Sequence, residues 1–247
     1  MLEVKFYDSI DDSLLKFAVI ISQSNGKWVF CKHKERDTFE VPGGHREAGE
    51  NILETAKREL QEETGAIKFD IKPVCVYSVI GKTRVNDTGE ESFGGLYFAE
   101  ISEFAKELHS EMEKVVLMDE LPDNWTYPLI QPKLIEKYLQ IERQTYCKIQ
   151  LAAKQTIEYI KKVIKPEINL LEIRKLCEEK MLELGADSLW YWDVGAFVFA
   201  GDETTISVSG KQYVTSDRVI DIDDIITIDL SPQTGNIWGE QHLKNFI

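Results

Sequence analysis

Three glutamates, Glu59, Glu62 and Glu63, crowd into a segment whose apolar residues repeat at a helical period. Ile52, Leu53, Ala56 and Leu60 fall in one sector at about 100° per residue, which predicts a helix from about Ala48 to Thr64. Gly65 then stops it. On that helix Glu59 and Glu63 are one turn apart and Glu62 is adjacent to both, so the three carboxylates share a stripe beside the apolar face. Like charges so placed repel and would destabilise an isolated helix. A divalent cation removes the penalty, and a donor set of oxygens alone suits Mg²⁺ or Mn²⁺. Arg58 stands beside the cluster with the geometry to hold a carboxylate by a bidentate pair. Upstream, Pro42-Gly43-Gly44 breaks regular structure and lets the backbone turn tightly before a helix start that attracts phosphate.

Around this segment the chain alternates strand and loop signals. Leu15–Ser22 and Lys27–Lys32 are apolar runs joined through Asn25-Gly26, a hairpin turn pair. Thr38–Val41 reads as a short extended piece, and strands are expected at Lys68–Ile80, Leu96–Glu100 and Lys114–Met118. Lys82–Gly95 is polar and reads as a loop. After Pro132 the character changes: Lys133 to about Ile164 and Asn169–Leu184 are helical, followed by strand-like runs at Gly195–Ala200, Thr204–Ser209 and Asp224–Leu230. The expected division is 1–145 and 146–247.

Three acids at helical spacing are, by themselves, usually a solvated face. The fuller pattern decides against that reading. From Gly44, five residues, Glu50, seven residues, then Arg58-Glu59-Leu60-x-Glu62-Glu63-x-Gly65 fixes seven positions after the starting glycine, a coincidence on the order of 10⁻⁸ per glycine start point. The pattern resembles the Nudix box of the Nudix hydrolases, with Ala66 where a bulky aliphatic is usual. The preceding Pro-Gly-Gly, the strand order and the later Ser110-Glu111-Met112-Glu113 extend the likeness over about residues 13–140.

The resemblance implies an α/β fold, a mixed sheet sandwiched between helices. It also implies hydrolysis of a nucleoside diphosphate linked to a further group, with Mg²⁺ or Mn²⁺ as cofactor. Carried over by position, Glu59, Glu62 and Glu63 are the expected metal ligands, with the Gly44 carbonyl and Glu111 as additional ones. Glu62, Glu63, Arg58 and Glu111 are the expected catalytic residues, and Glu50 supports the helix start. Bound metal polarises a P–O bond and lowers the pKa of a water, and a carboxylate positions that water for in-line attack. The short hydrolase part is similar to the MutT-like nucleotide-pool enzymes, so a nucleoside triphosphate, such as an oxidised 8-oxo-dGTP, is the expected substrate. In that branch an amide and an aromatic hold the purine; Asn124, Trp125 and Phe93 are the candidates, with Lys82 and Arg84 for phosphate. His33 and His45 lie near the presumed cleft, while His109 and His242 have no spaced partner for zinc. A non-catalytic nucleotide-sensing module is the alternative.

Residues 150–247 resemble the N-terminal portion of the pita-bread metallopeptidases of the creatinase and aminopeptidase family, which implies a second, α+β domain. The carriers are the helical Ala152–Lys165 before Pro166, the Glu172–Gly185 helix, Trp192-Asp193-Val194-Gly195 and Ile225-Ile226-Thr227-Ile228-Asp229-Leu230. Asp229 aligns with the first metal-binding aspartate, Glu240 stands where a second is expected, and the later His and Glu ligands do not appear. That disfavours a metallo-aminopeptidase, which needs the full set to hold its hydroxide. Half of such a fold leaves sheet edges and apolar surface uncovered, so homo-oligomerisation or poor stability is expected, and the C-terminus reads as a truncated fusion.

Composition narrows the partners. The 29 Lys+Arg against 43 Asp+Glu give −14, a charge that repels the backbone of duplex nucleic acid. A hydrophobic share of 43% excludes a disordered chain, and no apolar run is long enough to span a membrane. Four scattered cysteines without a CxxC pair and an N-terminus without a signal-peptide pattern point to a cytoplasmic protein.

Overall fold

The computed structural model describes residues 2–83, 86–106 and 112–246. The chain divides into two compact units, Met1–Tyr138 and Leu139–Ile247, so the division falls earlier than 145/146 and inside a continuous helix.

In the first unit the strands are β1 (Glu3–Tyr7), β2 (Leu15–Ser24), β3 (Lys27–His33), β4 (Phe39–Glu40), β5 (Gly43–His45), β6 (Ala66–Ile80), β7 (Ser92–Phe104) and β8 (Met112–Met118), with helix α1 (Ile52–Thr64) between β5 and β6. Among the described residues these eight strands form one mixed sheet in the order β1-β6-β7-β2-β3-β4, with β5 paired to β2 and β8 to β3. The β2–β7 pair is parallel and the others are antiparallel. The β2–β3 turn follows from its sequence: Asn25 (φ 51°) and Gly26 (φ 75°) both take the left-handed conformation that suits a two-residue hairpin.

The sheet is buried on both faces, and strand periodicity sorts its side chains between two cores. Tyr97, Ala99 and Ile101 of β7 join Ala18 and Ile20 under Ile52, Ala56 and Leu60 of α1. The intervening Leu96 and Phe98 join Ile21 and Phe30 with Leu134, Ile135 and Tyr138, from the start of helix α2 (Gln131–Val163). A mixed sheet between helices is therefore the architecture, as expected.

Several local readings differ from the sequence expectation, among them the loop expected at Lys82–Gly95, whose last four residues belong to β7. Helix α1 begins at Ile52, not Ala48, because Asn51 caps it: its side chain accepts from Glu54 N (3.0 Å) while Glu54 accepts from Asn51 N (2.8 Å). Gly43 and Gly44 do not interrupt the sheet; they pair with Val19 and Ala18 as β5. Strand β1 carries no strong signal and was not expected.

The second unit contains the rest of α2, helix α3 (Leu170–Glu183), and strands β9 (Ser188–Leu189), β10 (Ala196–Ala200), β11 (Ile225–Leu230), β12 (Pro232–Thr234), β13 (Ile237–Trp238) and β14 (Gln241–Phe246). An antiparallel β10-β11-β14 sheet buries Ala196, Val198, Ile226, Ile228 and Leu243 against Ile157 and Ile160 of α2 and Ile173, Cys177 and Met181 of α3. This is the expected α+β arrangement. The strand expected at Thr204–Ser209 is absent: Gly201–Thr205 is a 3-10 turn, held where the Thr204 and Thr205 hydroxyls donate back to Gly201 O and Asp202 O. No described helix is long and apolar enough to cross a membrane.

Candidate active site

The site is built from the β5 backbone and one face of α1. The capping box at Asn51 and the left-handed Gly65 (φ 69°) fix both ends of the helix, so the positions of Arg58, Glu59, Glu62 and Glu63 are set by its length. Arg58 is their hub. Its Nε and Nη2 clasp Glu50 (2.7 and 3.1 Å), its Nη1 donates to Glu59 (2.8 Å) and Glu62 (3.2 Å), and Nη2 also reaches His45 O (2.9 Å). Glu63 turns toward the glycines, accepting from Gly43 N at 2.8 Å.

Burial differs along the stripe. The Glu59 side chain is 12% exposed and Glu62 56%. Burial pushes the Glu59 carboxyl above the ordinary carboxylate range; Arg58 opposes this, and the charges of Glu62 and Glu50 add to it. Glu50 moves the other way, down to about 2, chiefly through its Arg58 bonds. Gly44 lies directly under Glu59: a Cβ added there would sit 2.1–2.6 Å from its carboxyl atoms.

The Glu50 clasp has a testable consequence. A carboxyl with an ordinary value of 4.5 and a folded value of about 2 contributes stability that is complete above pH 4.5 and lost as pH falls toward 2. Glu50→Gln is expected to lower the melting temperature at pH 7. The gap from wild type should close between pH 4.5 and pH 2 in a thermal-melting series.

Glu59, Glu63, Gly43 and Gly44 line a cavity of about 420 Å³. Phe17, Tyr77, Tyr127 and Gln131 line it as well, as do Arg36 and Glu40. The sequence reading missed this second group. Phe17 and Tyr77 are brought together by strand pairing, with ring centroids 5.8 Å apart, and no local pattern marks them.

The other sequence candidates are distributed as follows. His45 lines the cavity, edge-on to Phe17. His33 is buried and its Nδ1 accepts from Glu35 N (3.1 Å), a turn contact. Asn124 is not part of the cavity lining; its Nδ2 donates to Asp37 O (2.5 Å) and its backbone carbonyl accepts from Phe39 N (2.9 Å), contacts that join two segments far apart in sequence. Trp125 packs edge-on against Phe30 and Phe93 against Tyr7, both away from the cavity lining. Lys82 is exposed and also not part of that lining. Arg84, His109 and Glu111 lie outside the described residues.

The box carboxylates are not clustered as tightly as three ligands of one ion. Arg58 lies between Glu59 and Glu62, while Glu63 is tied to Gly43. Among the described residues the one group of three potential ligands within 4.8 Å of one another is Asp229, Glu240 and His242, in the second unit. There His242 Nδ1 meets Asp229 at 3.0 Å and Nε2 meets Glu240 at 2.7 Å, beside a cavity of about 690 Å³. The strand register explains the meeting, since Asp229 on β11 is paired with His242 on β14. His242 thus has partners that its sequence surroundings did not announce.

Comparison with known proteins bears on the first unit. The NUDIX domain family model matches residues 13–137. The putative 8-oxo-dGTP diphosphatase YtkD of Bacillus subtilis (strain 168) is 34% identical over 123 residues, 49% of this chain and 73% of that protein. A crystal structure of the Bacillus subtilis pyrophosphohydrolase BsRppH, as a point mutant, is similar at a TM-score of 0.47. It is 28% identical, over 56% of this chain and 90% of that one. X-Pro aminopeptidase from Thermotoga maritima MSB8 is similar at a TM-score of 0.39 and 19% identity, over 44% of this chain and 29% of that one. Both structural scores lie below 0.5, so classification rests on the two sequence matches. With the intact glutamate pattern on α1, they show that the chain belongs to the Nudix hydrolase family.

Proposed function

We propose that the first unit hydrolyses a nucleoside triphosphate to the monophosphate and pyrophosphate, using Mg²⁺ or Mn²⁺. The observation that carries the reading is the approach of Glu59 and Glu63 to the Gly43-Gly44 backbone in the lining of a cavity of ligand size. The donors fit a hard dication: they are oxygens only, and the largely buried Glu59 carboxylate has neighbouring negative charge for a cation to offset. Glu59, Glu62 and Glu63 would hold the metal, with the Gly44 carbonyl and Glu111 as the further ligands implied by the family pattern. Bound there, the ion would neutralise polyphosphate charge and make a water more acidic.

The remaining steps belong to the chain. Arg58 holds Glu59 and Glu62 while Glu50 anchors Arg58, so two of the proposed ligand carboxylates are preorganised by a clasp and not by the ion alone. Glu62, the most exposed of the three, has room to turn from Arg58 toward the substrate. One of Glu62, Glu63 and Glu111 takes the proton as water attacks phosphorus and the pyrophosphate oxygen leaves. The name of the Bacillus relative supports an oxidised purine nucleotide such as 8-oxo-dGTP. A net charge of −14 supports a small substrate over duplex nucleic acid, and four free cysteines support a reducing, cytoplasmic setting.

Pyrophosphate release from a nucleotide panel tests the proposal. Turnover is expected with Mg²⁺ or Mn²⁺, to vanish in EDTA and to return when the ion is restored in excess. Turnover that persists in EDTA overturns the metal dependence. Nucleotide binding without turnover, at saturating Mg²⁺, overturns the hydrolysis in favour of a sensing role.

A further inference from the structure

We infer that the second unit binds a small organic ammonium ion, in its cavity of about 690 Å³. The strand register builds the site. Phe197 and Phe199 of β10 pair with Asp229 and Thr227 of β11, and these pair in turn with His242 and Lys244 of β14. Partners across a sheet share a face, so the six side chains stand together, opposite the core residues Val198, Ile226, Ile228 and Leu243. Trp190, Tyr191 and Trp238 carry the lining on beyond the sheet. The rings form one continuous wall. Centroids lie 4.4 Å apart from Trp238 to Trp190, then 5.2 Å to Tyr191, 5.7 Å to Phe197 and 6.5 Å to Phe199.

Folding alone does not call for such a surface. Trp190 and Trp238 are 43% and 40% exposed, and a large apolar patch left open marks a place of interaction. The volume is that of a small-molecule site, where aromatic walls surround a few polar groups. Charge says which molecule fits. Asp229 Oδ1 meets His242 Nδ1 at 3.0 Å and Glu240 Oε1 meets Nε2 at 2.7 Å, so one imidazole holds both carboxylates on the lining. Their second oxygens, Asp229 Oδ2 and Glu240 Oε2, have no partner among the described residues. Aromatic faces carry the negative side of the ring quadrupole and attract a cation whose shell is apolar. A metal ion, satisfied by oxygen and nitrogen donors, would leave that wall unused. An alkylammonium group uses both the rings and the carboxylates. The same unit already makes this contact within itself, with Lys211 Nζ 4.1 Å from the Trp192 ring centroid. Among the described residues Lys244 is the one lysine or arginine on the lining, one strand pair along from Asp229 and His242, and its charge opposes the ligand.

The test titrates the full chain, in EDTA, with choline and with 3,3-dimethylbutan-1-ol, the uncharged isostere with carbon in place of nitrogen. The methyl proton signal reports binding. Choline is expected to bind at least tenfold more tightly than the alcohol, its methyl signal shifted upfield by the ring faces. Trp190→Leu, which keeps an apolar side chain and removes a ring, should weaken choline at least tenfold, and so should Asp229→Asn. Lys244→Gln should tighten it about two- to threefold. Equal affinity for choline and the alcohol overturns the proposal in favour of an unselective apolar pocket. No choline binding at about 10 mM overturns it outright. Choline affinity unchanged in both Trp190→Leu and Asp229→Asn moves the ligand elsewhere and overturns the site. With EDTA removed, Zn²⁺ binding that is lost in His242→Ala, with no choline binding by wild type, makes the cluster a metal site instead. The isostere comparison is read on wild type, so it decides the matter even where a variant fails to fold.

Discussion

Glu63→Gln is expected to lower kcat by about a thousandfold while leaving the melting temperature within a few degrees of wild type. If Glu63 holds the proposed ion, the size follows from the loss of one anionic ligand from a metal whose charge would stabilise the transition state by several kcal/mol, at about 1.4 kcal/mol per factor of ten. The neutral stability follows from the geometry. Glu63 accepts from Gly43 N at 2.8 Å, and a glutamine oxygen accepts in the same place, so the β5 backbone keeps its tether. Removing one of several neighbouring negative charges on α1 also relieves repulsion in the metal-free protein. Steady-state pyrophosphate release at saturating Mg²⁺, with a thermal melt on the same samples, separates lost chemistry from lost fold. A variant with wild-type kcat and an intact melt would remove Glu63 from the proposed ligand set.

What the sequence shows of this molecule depends on how local the cause is. The Asn25-Gly26 hairpin and the stop of α1 at Gly65 were legible because a left-handed backbone needs particular residues, and those residues stand there. The carboxylate stripe was legible for the same reason: helical spacing alone sets which side chains are neighbours. The partners of those carboxylates were less so. Arg58 was expected to hold one and contacts three, since its clasp on Glu50 depends on the path of the loop before α1.

The part of the cavity lining that lies outside the glutamate pattern was not legible at all. Phe17 lies on β2, Tyr77 on β6 and Gln131 at the start of α2, and they share one space only because β6 pairs with β7 and β7 runs parallel to β2. Gly94 of β7 marks the junction, since a Cβ there would come within 2.5–2.8 Å of both the Phe17 and Tyr77 rings. A buried strand with two apolar neighbours reads as a continuous hydrophobic run, so the pattern does not say which residues face a cavity. Asn124 was a reasonable amide by chemistry, and its Nδ2 is bonded to the backbone of the distant Asp37. Long-range pairing likewise brought His242 to Asp229, against a reading that left it without a partner.

Gly44→Ala is expected to reduce kcat/KM by about a hundredfold with little change in stability, and Gly43→Ala to do the reverse in emphasis. The two glycines are neighbours in sequence and differ in what an added methyl meets. At Gly44 the new Cβ would lie 2.1 Å from Glu59 Oε1 and 2.3 Å from its Cδ, atoms at the end of a flexible side chain. The carboxylate therefore swings away, at the cost of its Arg58 bond, and the fold adjusts around nothing else. A catalytic group displaced by about an ångström costs on the order of 10²-fold in rate. At Gly43 the Cβ would lie 2.5 Å from Ala18 O and 3.0 Å from Val19 Cα, the backbone of the sheet itself. Neither atom can rotate aside, so the β2–β5 pairing must shift, with an expected loss of about 1–3 kcal/mol. Urea melts and kcat/KM measured on both variants check the contrast. Full turnover in Gly44→Ala, with Glu59 displaced, would show that the position of this carboxylate over the β5 backbone is not used in the reaction.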